Sequence, residues 1–221
     1  MSTDPSAYYA VRYQPIRQRD QVWRSIARYL DGFLQVRPDS IVLELGTGYG
    51  SWIRSVGSRR RYALDINPEL PLLFEKLGLS DVNTCVGNCT RLEHFESNWA
   101  EVILASNLLE HLVVEEVEQC LSEIHRVLRP GGRLCLIQPN FALCPTTYFD
   151  DYTHRTVFTH VSLPDWVESK NFHIQRVWPR FLPLTMKGNR STNLAFLVPL
   201  YLRSPWKPMA GQMAMIAVKN G

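Results

Sequence analysis

At 221 residues and 25.5 kDa the chain has the length of one large globular domain. Its composition is 45% hydrophobic, 20% charged and 11% aromatic, which excludes a disordered tail, a coiled coil, a collagen-like fibre and a disulfide-stapled miniprotein. The formal charge of +3 hides an asymmetry. All 21 acidic residues lie at or before Glu168, whereas Lys170, Arg176, Arg180, Lys187, Arg190, Arg203, Lys207 and Lys219 follow it with no carboxylate side chain among them.

Cys85, Cys89, Cys120, Cys135 and Cys144 are odd in number and form no C-x-x-C pair, so reduced, buried thiols and a cytoplasmic location are expected. Met1-Ser2-Thr3-Asp4-Pro5 lacks the basic-then-apolar pattern of a signal peptide. The longest apolar run, Leu194 to Leu202, is nine residues, against the roughly 20 that a membrane span needs.

Along the chain, Val22, Ile26, Tyr29, Leu30 and Phe33 follow the helical period and predict an amphipathic helix over 16–35. Apolar strands are predicted at Ile41–Leu45, Tyr62–Ile66, Val82–Val86, Glu101–Ala105 and Arg133–Gln138. Between them lie helices at about Ser51–Val56, after Pro68, and along the stripe of Val117, Leu121, Ile124 and Leu128, which Pro130-Gly131-Gly132 stops. Past Pro139 an aromatic and polar stretch runs to about His160. A helix (Leu163–Lys170), a strand (Phe172–Val177), a Pro-rich connector, a helix (about Thr192–Leu202) and a strand (Gln212–Val218) complete the pattern. Short apolar strands alternating with helices predict an α/β fold, doubly wound on a mostly parallel seven-stranded sheet. One domain is expected over 1–221: an N-terminal helix (1–39), a cofactor-binding core (40–138), an acceptor-side insert (139–161) and a C-terminal completion with the basic tail (162–221).

Glycines 46, 48 and 50 stand where the first strand turns toward a helix, a place where the missing Cβ lets backbone approach a ligand. Asp65 ends the second strand, 21 residues after Glu44, where an acid suits the two hydroxyls of a ribose. The spacing is G-x-G-x-G and not the dinucleotide G-x-G-x-x-G, which disfavours the rival reading of an NAD(P)-dependent oxidoreductase.

Glu44-Leu45-Gly46-Thr47-Gly48-Tyr49-Gly50 therefore resembles the first motif of class I S-adenosylmethionine-dependent methyltransferases. Asp65 looks like that family's ribose-binding acid. The segments Glu101-Val102-Ile103-Leu104-Ala105-Ser106-Asn107-Leu108-Leu109-Glu110-His111-Leu112 and Glu123-Ile124-His125-Arg126-Val127-Leu128-Arg129-Pro130-Gly131-Gly132 are similar to its fourth-strand motif and its approach to strand five. The resemblance implies a Rossmann-like sheet whose last strand is antiparallel and S-adenosylmethionine as cofactor. It puts cofactor contact on Glu44, Gly46, Thr47, Gly48, Gly50, Asp65, Ile66, Asn88, Cys89 and Asn107. The chain departs from the family at Gly87-Asn88-Cys89, where Gly-Asp-Ala is usual, leaving the Asn88 amide to meet adenine without a charge.

Candidates for an acceptor-side base cluster after strands four and five: Glu110 and His111, then Asp150, Asp151, His154 and His160. His111, His154 and Asp151 are the residues assigned base or orienting roles; Asp150, Asp151, His154 and His160 also form a set that could bind a divalent metal, but no metal ligands are assigned. Asp151–His160, Pro179–Thr185 and Leu200–Pro205 look like methyltransferases of bacterial polysaccharide and glycolipid assembly, which would imply a sugar hydroxyl on a small or glycan-linked acceptor. Nucleic acid is a poor acceptor, because Asn107 is followed by Leu108-Leu109-Glu110 where base-amino methyltransferases carry Asn-Pro-Pro-aromatic. A non-catalytic S-adenosylmethionine-binding partner subunit is the rival outside enzymology. The basic tail suggests peripheral contact with an anionic membrane.

Overall fold

The structure, a computed structural model, describes residues 17–183 and 195–221. Helix α1 (Arg17–Leu34) leads into strand β1 (Ile41–Leu45), followed by β2 (Arg60–Asp65), α2 (Leu70–Lys76), β3 (Asn83–Val86), β4 (Ala100–Ser106), α3 (Val114–Val127) and β5 (Leu128–Pro139). After the insert come α4 (Ser162–Glu168), β6 (Phe172–Pro183), α5 (Val198–Arg203) and β7 (Ala210–Lys219). The seven strands form one sheet in the order β3-β2-β1-β4-β5-β7-β6. Pairing is parallel from β3 through β5, and β7 runs antiparallel to both β5 and β6. This is the doubly wound sheet with an antiparallel last strand.

The alternation of side chains along the strands divides the core into two layers. Val42, Val102, Leu104, Cys135, Ile137, Ala214 and Ile216 point to one face, where Val22, Ile26 and Leu30 of α1 cover them. Leu43, Leu45, Ile103, Leu134, Leu136, Met213 and Met215 point to the other, under Val117, Leu121 and Ile124 of α3 and Leu163 and Val167 of α4. Strands covered on both faces read as unbroken apolar runs, which is why they are legible in the sequence.

Several elements differ from the sequence expectation. Ser51–Val56 is a run of turns. The Ile53 N–H that a regular helix would direct at Tyr49 O instead meets Glu44 Oε2 at 3.1 Å, and Tyr49 O is taken by Arg54 Nη2 at 2.9 Å. Helix α2 starts two residues beyond Pro68, after a turn closed by Leu70 N–H on Asn67 O at 3.1 Å. Pro130-Gly131-Gly132 lies within the irregular start of β5, where Leu128 pairs with Ala100 before the register shifts. Strand β6 runs on to Pro183 through register shifts. Of the helix expected at Thr192–Leu202, residues 192–194 lie outside the described residues. A 3₁₀ turn at Ala195–Leu197 then leads into α5, with proline in its first turn.

All five cysteines are free thiols, four of them buried. Among the described residues no helix is long and apolar enough to cross a membrane. Much of the basic tail is committed to internal contacts. Lys170 pairs with Glu118, and the Arg176 guanidinium lies 5.0 Å over the Phe33 ring and 4.9 Å over Trp178. Lys207 Nζ donates to the Tyr201 and Leu202 carbonyls at 2.7 and 2.8 Å, closing the end of α5. Lys219 Nζ donates to Leu128 O and Asn98 Oδ1, each at 2.8 Å. Arg180 and Arg203 are exposed, and Lys187 and Arg190 lie outside the described residues.

Replacing the buried Lys219 by Met keeps its length but leaves Leu128 O without this donor, so a loss of about 1–3 kcal/mol is expected. Urea denaturation should show a lower midpoint with an unchanged slope, and an unchanged midpoint would place the ammonium in solvent.

Candidate active site

Open α/β sheets bind ligands beyond the carboxyl ends of their strands, at the point where strand order reverses. Here that point falls between β1 and β4, and a cavity of about 500 Å³ opens there. Its floor is the glycine turn. Gly46 and Thr47 donate their N–H groups to Leu64 O at 2.9 and 3.2 Å, hanging the turn on the end of β2. Gly46 and Gly50 have φ of +65° and +66°, and a Cβ would come within 2.9 Å of Leu108 Cδ1 at the first and 2.6 Å of Phe74 Cζ at the second. Both positions require glycine for backbone and packing reasons together.

Two buried carboxyl groups hold this turn. Asp65 Oδ2 accepts from Gly48 N at 2.9 Å and Oδ1 from Asn67 N at 3.0 Å. Glu44 Oε2 accepts from Thr47 Oγ1 at 2.7 Å and from Ile53 N at 3.1 Å. Burial pushes the Glu44 carboxyl up to about 8. The hydrogen bonds from Thr47 and Ile53 work against that rise, and the charge of Asp65 adds to it.

The structure brings Glu44, Gly46, Thr47, Gly48, Asp65, Ile66, Asn88, Cys89 and Asn107 to the cavity wall. Gly50 underlies the turn and packs toward Phe74. Ile66 is 56% exposed, an apolar surface beside the buried Asp65. Asn88 Oδ1 accepts from Thr90 N at 3.0 Å, so the amide that the family comparison aims at adenine also closes a turn. Asn107 Oδ1 accepts from Gln212 Nε2 at 2.8 Å, and Asn107 Nδ2 donates to Ser106 Oγ at 3.1 Å, so this side chain ties β4 to β7. Arg19 and Trp23 of α1, Trp52 and Tyr152 also line the cavity. Sequence reasoning missed them, because α1 reads only as a core-facing stripe.

The opposite wall is built where the insert folds over the end of β4. Arg155 N and Thr156 N both donate to Glu110 O, at 2.7 and 3.3 Å, and Thr156 Oγ1 donates to Leu112 O at 2.7 Å. Tyr148, fully buried, donates its hydroxyl to Thr156 O at 2.6 Å; burial raises its pKa, and the neighbouring Glu110 raises it further. The insert therefore places Thr153 against His111, with Oγ1 2.9 Å from Nδ1. Thr153 Oγ1 also donates to Asp151 Oδ1 at 2.6 Å. A hydroxyl has a single hydrogen, so Thr153 must accept from His111, and Nδ1 carries the ring proton. The neutral imidazole then keeps its lone pair on Nε2.

His111 and Thr153 line the cavity. Asp151 stands behind Thr153, and the His154 ring centroid lies 5.1 Å from that of His111. Glu110 is 1% exposed, and its carboxyl is pushed up to about 8 by burial, with the charge of Asp151 raising it further. His160 lies away from this wall, its Nδ1 3.1 Å from Asn140 Nδ2. Neither Asp150 nor His160 lines the cavity. Thr153, the link between His111 and Asp151, carries no sequence signal of its own.

Residues 43–136, which contain the glycine turn, Asp65 and the β4 motif, match the methyltransferase domain family. The match spans less than half of the chain, and the sheet order is that of the S-adenosylmethionine-dependent methyltransferase fold. The matched domain and the fold support an enzyme, a methyltransferase with S-adenosylmethionine as cofactor, over the oxidoreductase alternative. No curated protein matches the chain by sequence. Solved structures share its fold across nearly its whole length. One is a chain of the complex between the Haloferax volcanii Trm112 methyltransferase activator and a methyltransferase, at 18% identity and TM-score 0.73, covering 100% of both chains. An Archaeoglobus fulgidus SAM-dependent methyltransferase matches at 18% identity and TM-score 0.66, covering 97% of this chain and 98% of the other. The Burkholderia thailandensis 1,6-didemethyltoxoflavin-N1-methyltransferase, with its substrate and S-adenosylhomocysteine bound, matches at 21% identity and TM-score 0.64, covering 98% and 85%.

The buried carboxyls make stability depend on pH in a defined sense. Asp31, Glu44 and Glu110 are raised to about 6, 8 and 8 from ordinary values of 3.8, 4.5 and 4.5, so the folded methyltransferase binds protons that the unfolded chain releases. That stabilisation is complete below the unfolded carboxyl range and is lost as pH rises through the folded values. The melting temperature of the ligand-free protein should fall between about pH 5 and pH 8, and Glu110→Gln should flatten the fall. Equal slopes for the two proteins would contradict this.

Proposed function

We propose that this methyltransferase acts on a small-molecule or glycan-linked acceptor, through a hydroxyl or another nucleophilic group placed between the glycine turn and the His111 wall. The observation that carries the reading is that one cavity of about 500 Å³ is lined by both the carboxyl-held turn and His111. The residues at the cavity suit S-adenosylmethionine: a buried acid for a ribose at Asp65, an apolar face at Ile66, a glycine turn at 46–50 that lets a ligand approach the backbone closely, and Glu44 toward the amino end of a cofactor that carries positive charge. Asn88 and the Cys89 N–H frame the adenine end. When bound, that cofactor supplies an electrophilic methyl group on a sulfonium centre.

The protein's own contribution is placement and handling of the acceptor's acidity. Holding the two partners in line is worth about 7–11 kcal/mol in well-oriented systems. Asp151, through Thr153, holds the proton on His111 Nδ1 and so fixes the tautomer and orientation of the ring beside the acceptor space. His154 closes the space behind His111. Trp23, Trp52 and Tyr152 give the cavity aromatic walls suited to a flat or ring-bearing acceptor. The similarity of the distal half to polysaccharide and glycolipid methyltransferases supports a sugar hydroxyl as one such group. Contact with an anionic membrane has less support, because Lys207 and Lys219 are buried on backbone carbonyls and Lys170 and Arg176 are engaged by Glu118 and by the Phe33 and Trp178 rings.

The test is transfer of a labelled methyl group from S-adenosylmethionine to phenols, amines, nucleotide-sugars and lipid-linked glycans. Turnover on at least one class is expected. His111→Ala should lower kcat by about 10²–10⁴-fold while leaving S-adenosylhomocysteine affinity unchanged, and Asp65→Ala should weaken that affinity by roughly tenfold or more. Full turnover by His111→Ala would remove the acceptor-side assignment.

A further inference from the structure

We propose that Glu110, His111 and His154 bind a divalent transition-metal cation in the acceptor-side wall of the cavity, which His111 lines. Each offers one ligand atom, and the three atoms lie within 4.8 Å of one another. The proposal rests on the reading of His111 as the acceptor-facing group and says how it engages an acceptor oxygen.

Three observations converge on this cluster. The first is Glu110. Its side chain is 1% exposed, and neither carboxyl oxygen has a hydrogen-bond partner in another residue, while His111 Nε2 lies 4.0 Å from Oε1. Burying a carboxyl without donors is costly, and buried carboxylates are ordinarily paired or bound to metal. The second is the proton on His111. With Nδ1–H directed at Thr153 Oγ1, and Thr153 directed at Asp151, the lone pair on Nε2 faces Glu110. A metal-binding imidazole is held in this way, its far N–H bonded outward so that the near nitrogen is an unprotonated donor.

The third is the rigidity with which two distant segments are joined. The backbone carbonyl of Glu110 itself receives the N–H groups of Arg155 and Thr156, directly after His154 in the chain. The ligand-bearing turn at Leu109–His111 and the insert thus form one unit. A zinc-sized ion with ligands at about 2.0–2.2 Å would hold its donors roughly 3.4 Å apart, so binding draws the cluster in by side-chain rotation of the two imidazoles.

The donor set selects the cation. Two imidazoles and one carboxylate suit zinc, manganese, iron(II) or cobalt, whereas magnesium and calcium prefer all-oxygen sites. Three protein ligands leave coordination positions open, and His111 lines the cavity, so an acceptor oxygen can enter there. A hydroxyl so coordinated releases its proton to water more readily, and the resulting oxygen is the nucleophile for the methyl group. The preferred acceptors would be those with a second oxygen able to chelate, such as vicinal diols, catechols or hydroxy acids.

The experiment uses the full chain, stripped with a chelator and titrated with Co²⁺, followed by its visible absorption and by calorimetry. One equivalent is expected to bind, with the strong visible bands of a low-coordinate site containing nitrogen donors. Glu110→Gln and His154→Ala should each weaken binding by more than tenfold, Thr153→Val by about tenfold through the lost outward hydrogen bond, and His160→Ala not at all. Unchanged S-adenosylhomocysteine binding by the variants would show that they fold and keep the cofactor site. No saturable binding of Co²⁺ by a chain that binds S-adenosylhomocysteine would overturn the metal site and leave the methyltransferase reading standing. Binding that survives both Glu110→Gln and His154→Ala would overturn it equally.

Discussion

Two carboxyl groups buried at the ends of β1 and β2 determine the shape of the cofactor side. Asp65 holds Gly48 N and Asn67 N, and Glu44 holds the Thr47 hydroxyl and Ile53 N. These bonds take donors that ordinary secondary structure would have used. Ile53 N, drawn to Glu44, no longer supports a regular helix after the glycine turn, and the chain there is a string of turns. A straight helix would bring its own first-turn geometry to the cavity. The carboxyl-held turn instead keeps the backbone of 46–50 wrapped close beneath the ligand space. The desolvation that raises Glu44 follows from burying its carboxyl beneath the turn.

The acceptor side depends on a different kind of constraint. One carbonyl, Glu110 O, receives two N–H groups from the insert, and this places Thr153 between His111 and Asp151. Residues about forty positions apart in the chain are thereby brought together on one wall. In the proposed reading the sheet holds the cofactor turn and the insert supplies the acceptor end, as loops on a rigid scaffold commonly do.

Much of the fold is legible in the sequence because two-sided burial leaves clear marks. Ile41–Leu45 and Arg133–Gln138 are apolar on both faces, and the Glu44 to Asp65 spacing places an acid at the end of the neighbouring strand. What is not legible depends on partners distant in the chain. No periodicity reveals that Ile53 N will go to Glu44, or that Asn107 will bond Gln212 on β7. The Thr153 link is invisible for the same reason: a threonine in a polar insert looks like any other until His111 is beside it. Composition likewise counts the charges of the last segment without showing that Lys207 and Lys219 close buried carbonyls.

The central claim is that the carboxyl-held glycine turn binds S-adenosylmethionine and not a dinucleotide. Calorimetric titration of the intact chain with S-adenosylhomocysteine and, separately, with NADH tests it most directly. The account predicts one equivalent of S-adenosylhomocysteine bound and no heat of binding from NADH. Saturable binding of NADH with none of S-adenosylhomocysteine would contradict it.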